Sequence, residues 1–188
     1  MPHLSAFARR LPALALICAV VTVCGCNSYS ATSEREALKQ KEAGFSGAVS
    51  VAGGSAKKEG RKRFGIEMTG WMVDLSGAEI SDELMDELLK VGAKDPVFSL
   101  NLSKSKITDE QLVKLGKGKV LQKTFELDLR DTAISDTGLD GLSNFYCLSD
   151  LKLKGSKATK AAATRLGTKQ MSHPDTPAPL KKQPKVDL

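Results

Sequence analysis

The sequence predicts an α/β fold in which about three and a half strand–turn–helix units stack side by side, their strands forming one parallel sheet. Three observations carry this. A pattern of leucine, any residue, leucine, then a small and an aliphatic residue before Ser/Thr-Asp recurs from Val73, Leu100 and Leu127, and in decayed form from Leu151. The starts are 27, 27 and 24 residues apart, a period that belongs to stacked units sharing one core. Within each copy the apolar spacing changes from two to three or more, the change from a strand to one face of a helix.

The elements follow from that change. Seven residues beyond each start come Ile80, Ile107, Ile134 and Ala158. The helical face then takes Met85, Leu112, Leu139 and Ala163, and a turn later Leu88, Leu115, Leu142 and Leu166. Ser81, Thr108, Ser135 and Thr159 stand where a hydroxyl caps the helix by accepting an orphan backbone N–H. Asp82, Asp109 and Asp136 follow in the first turn, where a negative charge suits the helix dipole, and Thr108 with Gln111 has the spacing of a capping box.

With these residues in view, roughly residues 70–170 resemble the leucine-rich-repeat family. The opening L-x-x-L-x-L is complete at Leu148-Ser149-Asp150-Leu151-Lys152-Leu153, and I-[ST]-D segments start at Ile80, Ile107 and Ile134. Where the common pattern has Asn, this chain has Ala78, Ser105, Thr132 and Ser156, as in variants that use a small residue there. The resemblance implies a leucine-rich-repeat solenoid over residues 64–170, with parallel strands on a concave face and helices on the convex one. Family members usually bind other macromolecules, and few are enzymes through their repeats.

So short a stack needs covers at both ends. Phe64, Ile66 and Met68 alternate, Thr69-Gly70 interrupts, and Trp71, Val73 and Leu75 resume, which predicts a hairpin capping the first unit. The fourth unit has Ala158, Ala161, Ala162 and Ala163 where larger residues would pack, which predicts a thin closing cap.

The flanks read differently. Arg9 and Arg10 precede a largely apolar stretch of thirteen residues at 11–23, too short for a span of about 20 residues. A charged start and a short apolar run make residues 1–25 a secretory signal. Its end, Val23-Cys24-Gly25-Cys26, resembles a bacterial lipobox, in which Cys26 would carry palmitate-like acyl chains after cleavage. The alternatives are a signal cut elsewhere or an uncleaved anchor. Cys147 then stands alone in the mature chain and reads as a buried structural thiol. Residues 26–63 read as a flexible basic tether with a mean reach of roughly 30–35 Å, helical at most over 33–42. Residues 171–188, with four prolines among lysines, read as a disordered tail.

Charge argues against a nucleic-acid partner. The chain carries +6, but residues 64–170 hold fifteen basic and sixteen acidic residues. The excess sits in the leader and in 27–63, notably KKEGRKR at 57–63, which reads as a solvated spacer or a contact for anionic headgroups.

The strand residues that alternate with the leucines face the concave side. Among them Asp74, Asn101, Asp128, Arg130, Lys152 and Lys154 are the candidate ligand-binding residues. No enzyme is expected, because His3 lies in the signal and His173 in the tail, which leaves no Ser-His or Cys-His arrangement and no His/Cys metal cluster. Glycine loops for phosphates are also missing, so no cofactor or metal is expected. The alternative is an envelope hydrolase using Asp74 and Asp128, two strands or about 9.6 Å apart. The sequence thus predicts a lipid-anchored protein on the periplasmic or surface side of a bacterial membrane. It would bind or scaffold a protein or an envelope polysaccharide, or serve as a structural component with no discrete ligand.

Overall fold

A computed structural model describes residues 28–63, 65–92, 95–118, 122–142, 145–172 and 183–188. The predicted signal peptide and Cys26 lie outside these residues. The chain divides into two compact units, Met1–Ala37 and Leu38–Leu188. Of the first, only the opening turns of helix α1 (Ser28–Val51) are described.

The second unit is α/β, with one six-stranded sheet whose strands lie in chain order. Strand β1 (Ser55–Arg63) pairs antiparallel with β2 (Ile66–Asp74). Parallel pairing then runs through β3 (Val97–Asn101), β4 (Glu126–Asp128), β5 (Asp150–Lys152) and β6 (Lys185–Asp187). Helices α2 (Asp82–Gly92), α3 (Asp109–Lys117), α4 (Asp136–Asp140) and α5 (Lys160–Ser172) follow β2, β3, β4 and β5. The register repeats with the sequence: Val73 faces Leu100, Leu100 faces Leu127, and Leu127 faces Leu151. These residues form one buried row and Leu75, Leu102, Leu129 and Leu153 a second, all packed with the helix residues named above in one continuous core. Of the predicted core positions in the repeats, Ala158 is partly exposed and Ala161 exposed, while Ala162 and Ala163 are buried.

Pairing continues past the strands. The N–H groups of Leu75, Leu102 and Leu129 donate to the carbonyls of Asn101, Asp128 and Lys152, and two residues on Gly77, Lys104 and Asp131 donate to Ser103, Arg130 and Lys154, all at 2.8–2.9 Å. The residue that makes this second bond is left-handed, with φ of 70° at Gly77, 58° at Lys104 and 54° at Asp131, and Gly155 at the matching place of the fourth unit has φ 79°. Glycine fills the first and last places, while Lys104 and Asp131 accept the strain. At the position of the missing Asn, the hydroxyls of Ser105 and Thr132 each donate at 2.7 Å to the carbonyl three residues back, Leu102 and Leu129. The backbone ladder thus closes without an amide side chain.

The Ser/Thr-Asp dipeptide does more than cap. Ser81, Thr108, Ser135 and Thr159 all accept N–H groups of their own helices, and the Thr108–Gln111 capping box is present. The aspartate also reaches into the next unit. Asp109 accepts the Ser135 N–H at 2.9 Å and the Ser135 hydroxyl, and Asp136 accepts the Thr159 N–H at 2.7 Å and its hydroxyl at 2.8 Å. Between the first two helical units Gln111 takes this role, donating to the Ile80 carbonyl at 2.9 Å. Helices α3 and α4 meet through Gly116, where a Cβ would overlap the Gly141 carbonyl.

The ends differ from the sequence expectation. Much of the predicted tether, 26–63, is ordered: α1 and β1 occupy 28–51 and 55–63. Phe45, Ala48, Val49 and Ala52 recur at helical spacing and pack on the end of the core. The Phe45 ring meets Trp71 edge-on at 5.0 Å. Lys58 points to the same side, 2.5 Å from Glu42 and 3.2 Å from Asp95, with its ammonium 5.8 Å from the Trp71 ring. These groups offset the cost of partly covering a lysine there. The capping hairpin exists, but it turns at Gly65 (φ 81°), and β2 runs straight through Thr69 and Gly70. Gly70 is needed for closeness instead, since a Cβ there would lie 2.8 Å from the Phe98 ring. The fourth unit is not the last strand. Residues 183–188 of the predicted disordered tail bring β6 onto β5, with Val186 on the core and Pro184 against Gly167, and α5 runs to Ser172. Residues 173–182 lie outside the described residues.

Candidate functional site

The helices cover one face of the sheet, and the alternating side chains of the other face form two rows across it. The first is Ser55, Asp74, Asn101, Asp128, Lys152 and Asp187, and the second is Lys57, Met72, Ser99, Glu126, Asp150 and Lys185. The row residues of the first five strands border a shallow depression of about 360 Å³. Of the six sequence candidates, Asp74, Asn101, Asp128, Arg130 and Lys152 line it together. Lys154 is exposed beyond its rim.

The first row has an internal structural use. Asp74, Asn101 and Asp128 each accept the backbone N–H two residues on, from Ser76, Ser103 and Arg130, at 2.9, 3.1 and 3.1 Å. Each holds the bend that leads to the left-handed residue. Asn101 also donates to Asp74 across the strands at 3.1 Å. Asp128 is the most enclosed of the three, at 7 % exposure. The Arg130 guanidinium grips both its oxygens at 2.8–3.1 Å, and the Lys152 ammonium lies 3.6 Å away. Burial pushes the Asp128 carboxyl up, but the Arg130 bonds and the two positive charges outweigh it and hold the carboxyl below its ordinary value. That direction suits a fixed anion and opposes a general acid, which needs a raised pKa.

Asp128 is therefore the positioning group, and Arg130 and Lys152 are the outward ones, with side chains 43 % and 49 % exposed. Acidic groups alternate with them. Glu126 is half-exposed with Arg61 at 3.6 Å, and Asp74 and Asp187 are exposed. The surface offers both signs within two strand spacings, and its only apolar member in the rows is Met72.

Met72 adjoins a second small apolar cluster of Phe98, Phe125 and Cys147, partly covered by Met68 and Tyr146. A register irregularity makes this cluster: Trp71 faces Val97 but Met72 faces Ser99, so Phe98 falls out of the alternation. Phe98 and Phe125 rings lie 5.6 Å apart. Burial there pushes the Cys147 thiol up to about 11, as expected for an inert structural thiol.

Sequence reasoning misses the outer members of both rows. Ser55 and Lys57 fall in the predicted tether, and Lys185 and Asp187 in the predicted tail. β1 has no apolar alternation to announce it. β6 does leave a trace: Val186-Asp187-Leu188 repeats Val73-Asp74-Leu75. Cys26 lies outside the described residues. No described helix is long and apolar enough to cross a membrane. In comparisons with known proteins, no family model matches the chain, and no curated protein is significantly similar to it.

Proposed function

We propose that this chain is a leucine-rich-repeat solenoid of the short bacterial lipoprotein kind, and that its polar sheet face binds a protein or an envelope polysaccharide noncovalently. The supporting observation is the pair of side-chain rows running across six strands on the face the helices leave uncovered, with Asp128 fixing Arg130 and Lys152 outward. A rigid parallel sheet holds such groups at fixed spacing, so a partner meets a preorganised charge pattern. Acylation of Cys26 at the end of the signal would confine that surface to the envelope. Crosslinking of the native chain in its own cells, followed by identification of what is attached, tests the binding. The adduct is expected to disappear in an R130E/K152E double variant, and equal recovery from that variant would refute the role of this face. Cys26→Ser is expected to abolish incorporation of labelled fatty acid, and retained label would refute the anchor.

A further inference from the structure

The half of the β1–β2 hairpin farthest from the helix α1 turn is unlike the rest of the sheet. β2 pairs with β3 only from Trp71 onward, so residues 66–70 pair with β1 alone and form a two-stranded arm beside the sheet. The arm and its approach, 57–67, contain five basic residues against Glu59 and Glu67. Lys58 is turned inward to Glu42 and Asp95, but Lys62 is exposed. Arg61 keeps only loose company, with Glu59 at 3.7 Å and Glu126 at 3.6 Å, all three substantially exposed. At the turn stands Ile66, 63 % exposed, one of the few large apolar side chains so open among the described residues.

A basic arm ending in an exposed aliphatic residue is complementary to a bilayer carrying anionic headgroups. The cations meet phosphates, and the aliphatic group enters the boundary beneath them. We propose that the β1–β2 arm is a second membrane contact, in which Arg61 and Lys62 bind anionic phospholipid headgroups and Ile66 inserts between them. The inference rests on the acyl-anchored reading, because an anchor supplies the high local concentration that a few surface charges need. Arm contact would fix the orientation of the sheet at the membrane, so that the row face is presented at a set angle.

The test uses the full acylated chain with Ile66→Cys carrying an apolar fluorophore. Cys147 is buried and stays unlabelled in the native protein. Labelled chain is mixed with phosphatidylcholine vesicles, with or without phosphatidylglycerol, that contain a headgroup-level quencher. Quenching is expected to be roughly twofold greater with phosphatidylglycerol and to lose that excess near 1 M salt, where the screening length falls to about 3 Å. R61Q/K62Q should lose the excess and E67K should enlarge it, with the Trp71 fluorescence reporting a native fold in both. Equal quenching on neutral and anionic vesicles, or an excess unchanged in R61Q/K62Q, overturns the proposal. Shielding of the label by a single-stranded oligonucleotide but not by vesicles overturns it in favour of a polyanion. Salt-independent flotation on neutral vesicles reports the anchor separately. If flotation fails while quenching by anionic vesicles persists, the anchor reading falls and the arm contact stands.

Discussion

Asp109→Ala should loosen the stack between α3 and α4 far more than a surface aspartate normally would. The carboxylate accepts two hydrogen bonds from one residue of the next unit, the Ser135 N–H and hydroxyl, from a part-buried position. Hydrogen bonds to a charged acceptor contribute about 1.5–3 kcal/mol each, and the two share one carboxylate, so together they contribute about 2–3 kcal/mol. Alanine also leaves the Ser135 N–H without its acceptor. Urea unfolding of Asp109→Ala should lose about 2–3 kcal/mol, and melting should fall by about 4–12 °C for a unit of this size. Glu110→Ala, the exposed neighbour on the same helix, should change stability by less than about 0.5 kcal/mol. Ser135→Ala should cost about 1–2 kcal/mol, because the same hydroxyl also caps its own helix at Thr137. In a double-mutant cycle, Asp109 and Ser135 should couple by at least about 1 kcal/mol. A cycle that closes additively, or an Asp109→Ala variant within about 0.5 kcal/mol of the parent, would refute the inter-unit clamp.

Other positions test other parts of the architecture. Lys104→Gly should stabilise the chain by about 1 kcal/mol, since it relieves a left-handed residue, while Gly155→Ala should destabilise it by more, because its Cβ would also press on Asp131; thermal melting orders the two. Phe45→Ala should cost about 3–5 kcal/mol by opening the cover over Trp71, and a solvent-shifted Trp71 emission would accompany it. The Asp128 and Asp136 carboxyls are held below their ordinary values, Asp136 chiefly by the Thr159 N–H and hydroxyl. Each then contributes stability that is present at neutral pH and is lost as pH falls through its lowered folded-state value. Unfolding free energy should therefore decline below roughly pH 4, and less steeply in Asp128→Asn. Cys147 should resist iodoacetamide at pH 8 while folded and react on unfolding, because its thiol titrates near 11 in place.

The middle of the fold is legible because one rule repeats. Val73, Leu100, Leu127 and Leu151 occupy the same place in the core, so copies of a short pattern identify both the strands and their register. The candidate face follows from alternation alone, which is why five of its six residues meet around one depression. The ends obey no repeat. Among its described side chains α1 places Phe45, Ala48 and Val49 against the core, with Ala52 just past its end, and Gly44 and Gly47 among them dilute the helical signal. β1 is an edge strand, where charge rather than apolar alternation is the favoured composition, so KKEGRKR resembles a linker. β6 is three residues long, and its strength comes from bonds to Ser149 and Leu153 that no local pattern reveals. The dual use of Asp109 and Asp136 is hidden for a related reason: the N-cap position explains them locally, and only the stack shows their second partner.

Site-specific photocrosslinking in living cells decides whether the polar sheet face is the recognition surface. A photoreactive residue at Asn101 sits in the middle of the polar rows, and one at Lys114, an exposed position ion-paired to Asp86 on the helix side, serves as the opposite face. A discrete adduct is expected from position 101 and none from 114. An adduct from 114 with nothing from 101 would contradict this and move the recognition surface to the helices.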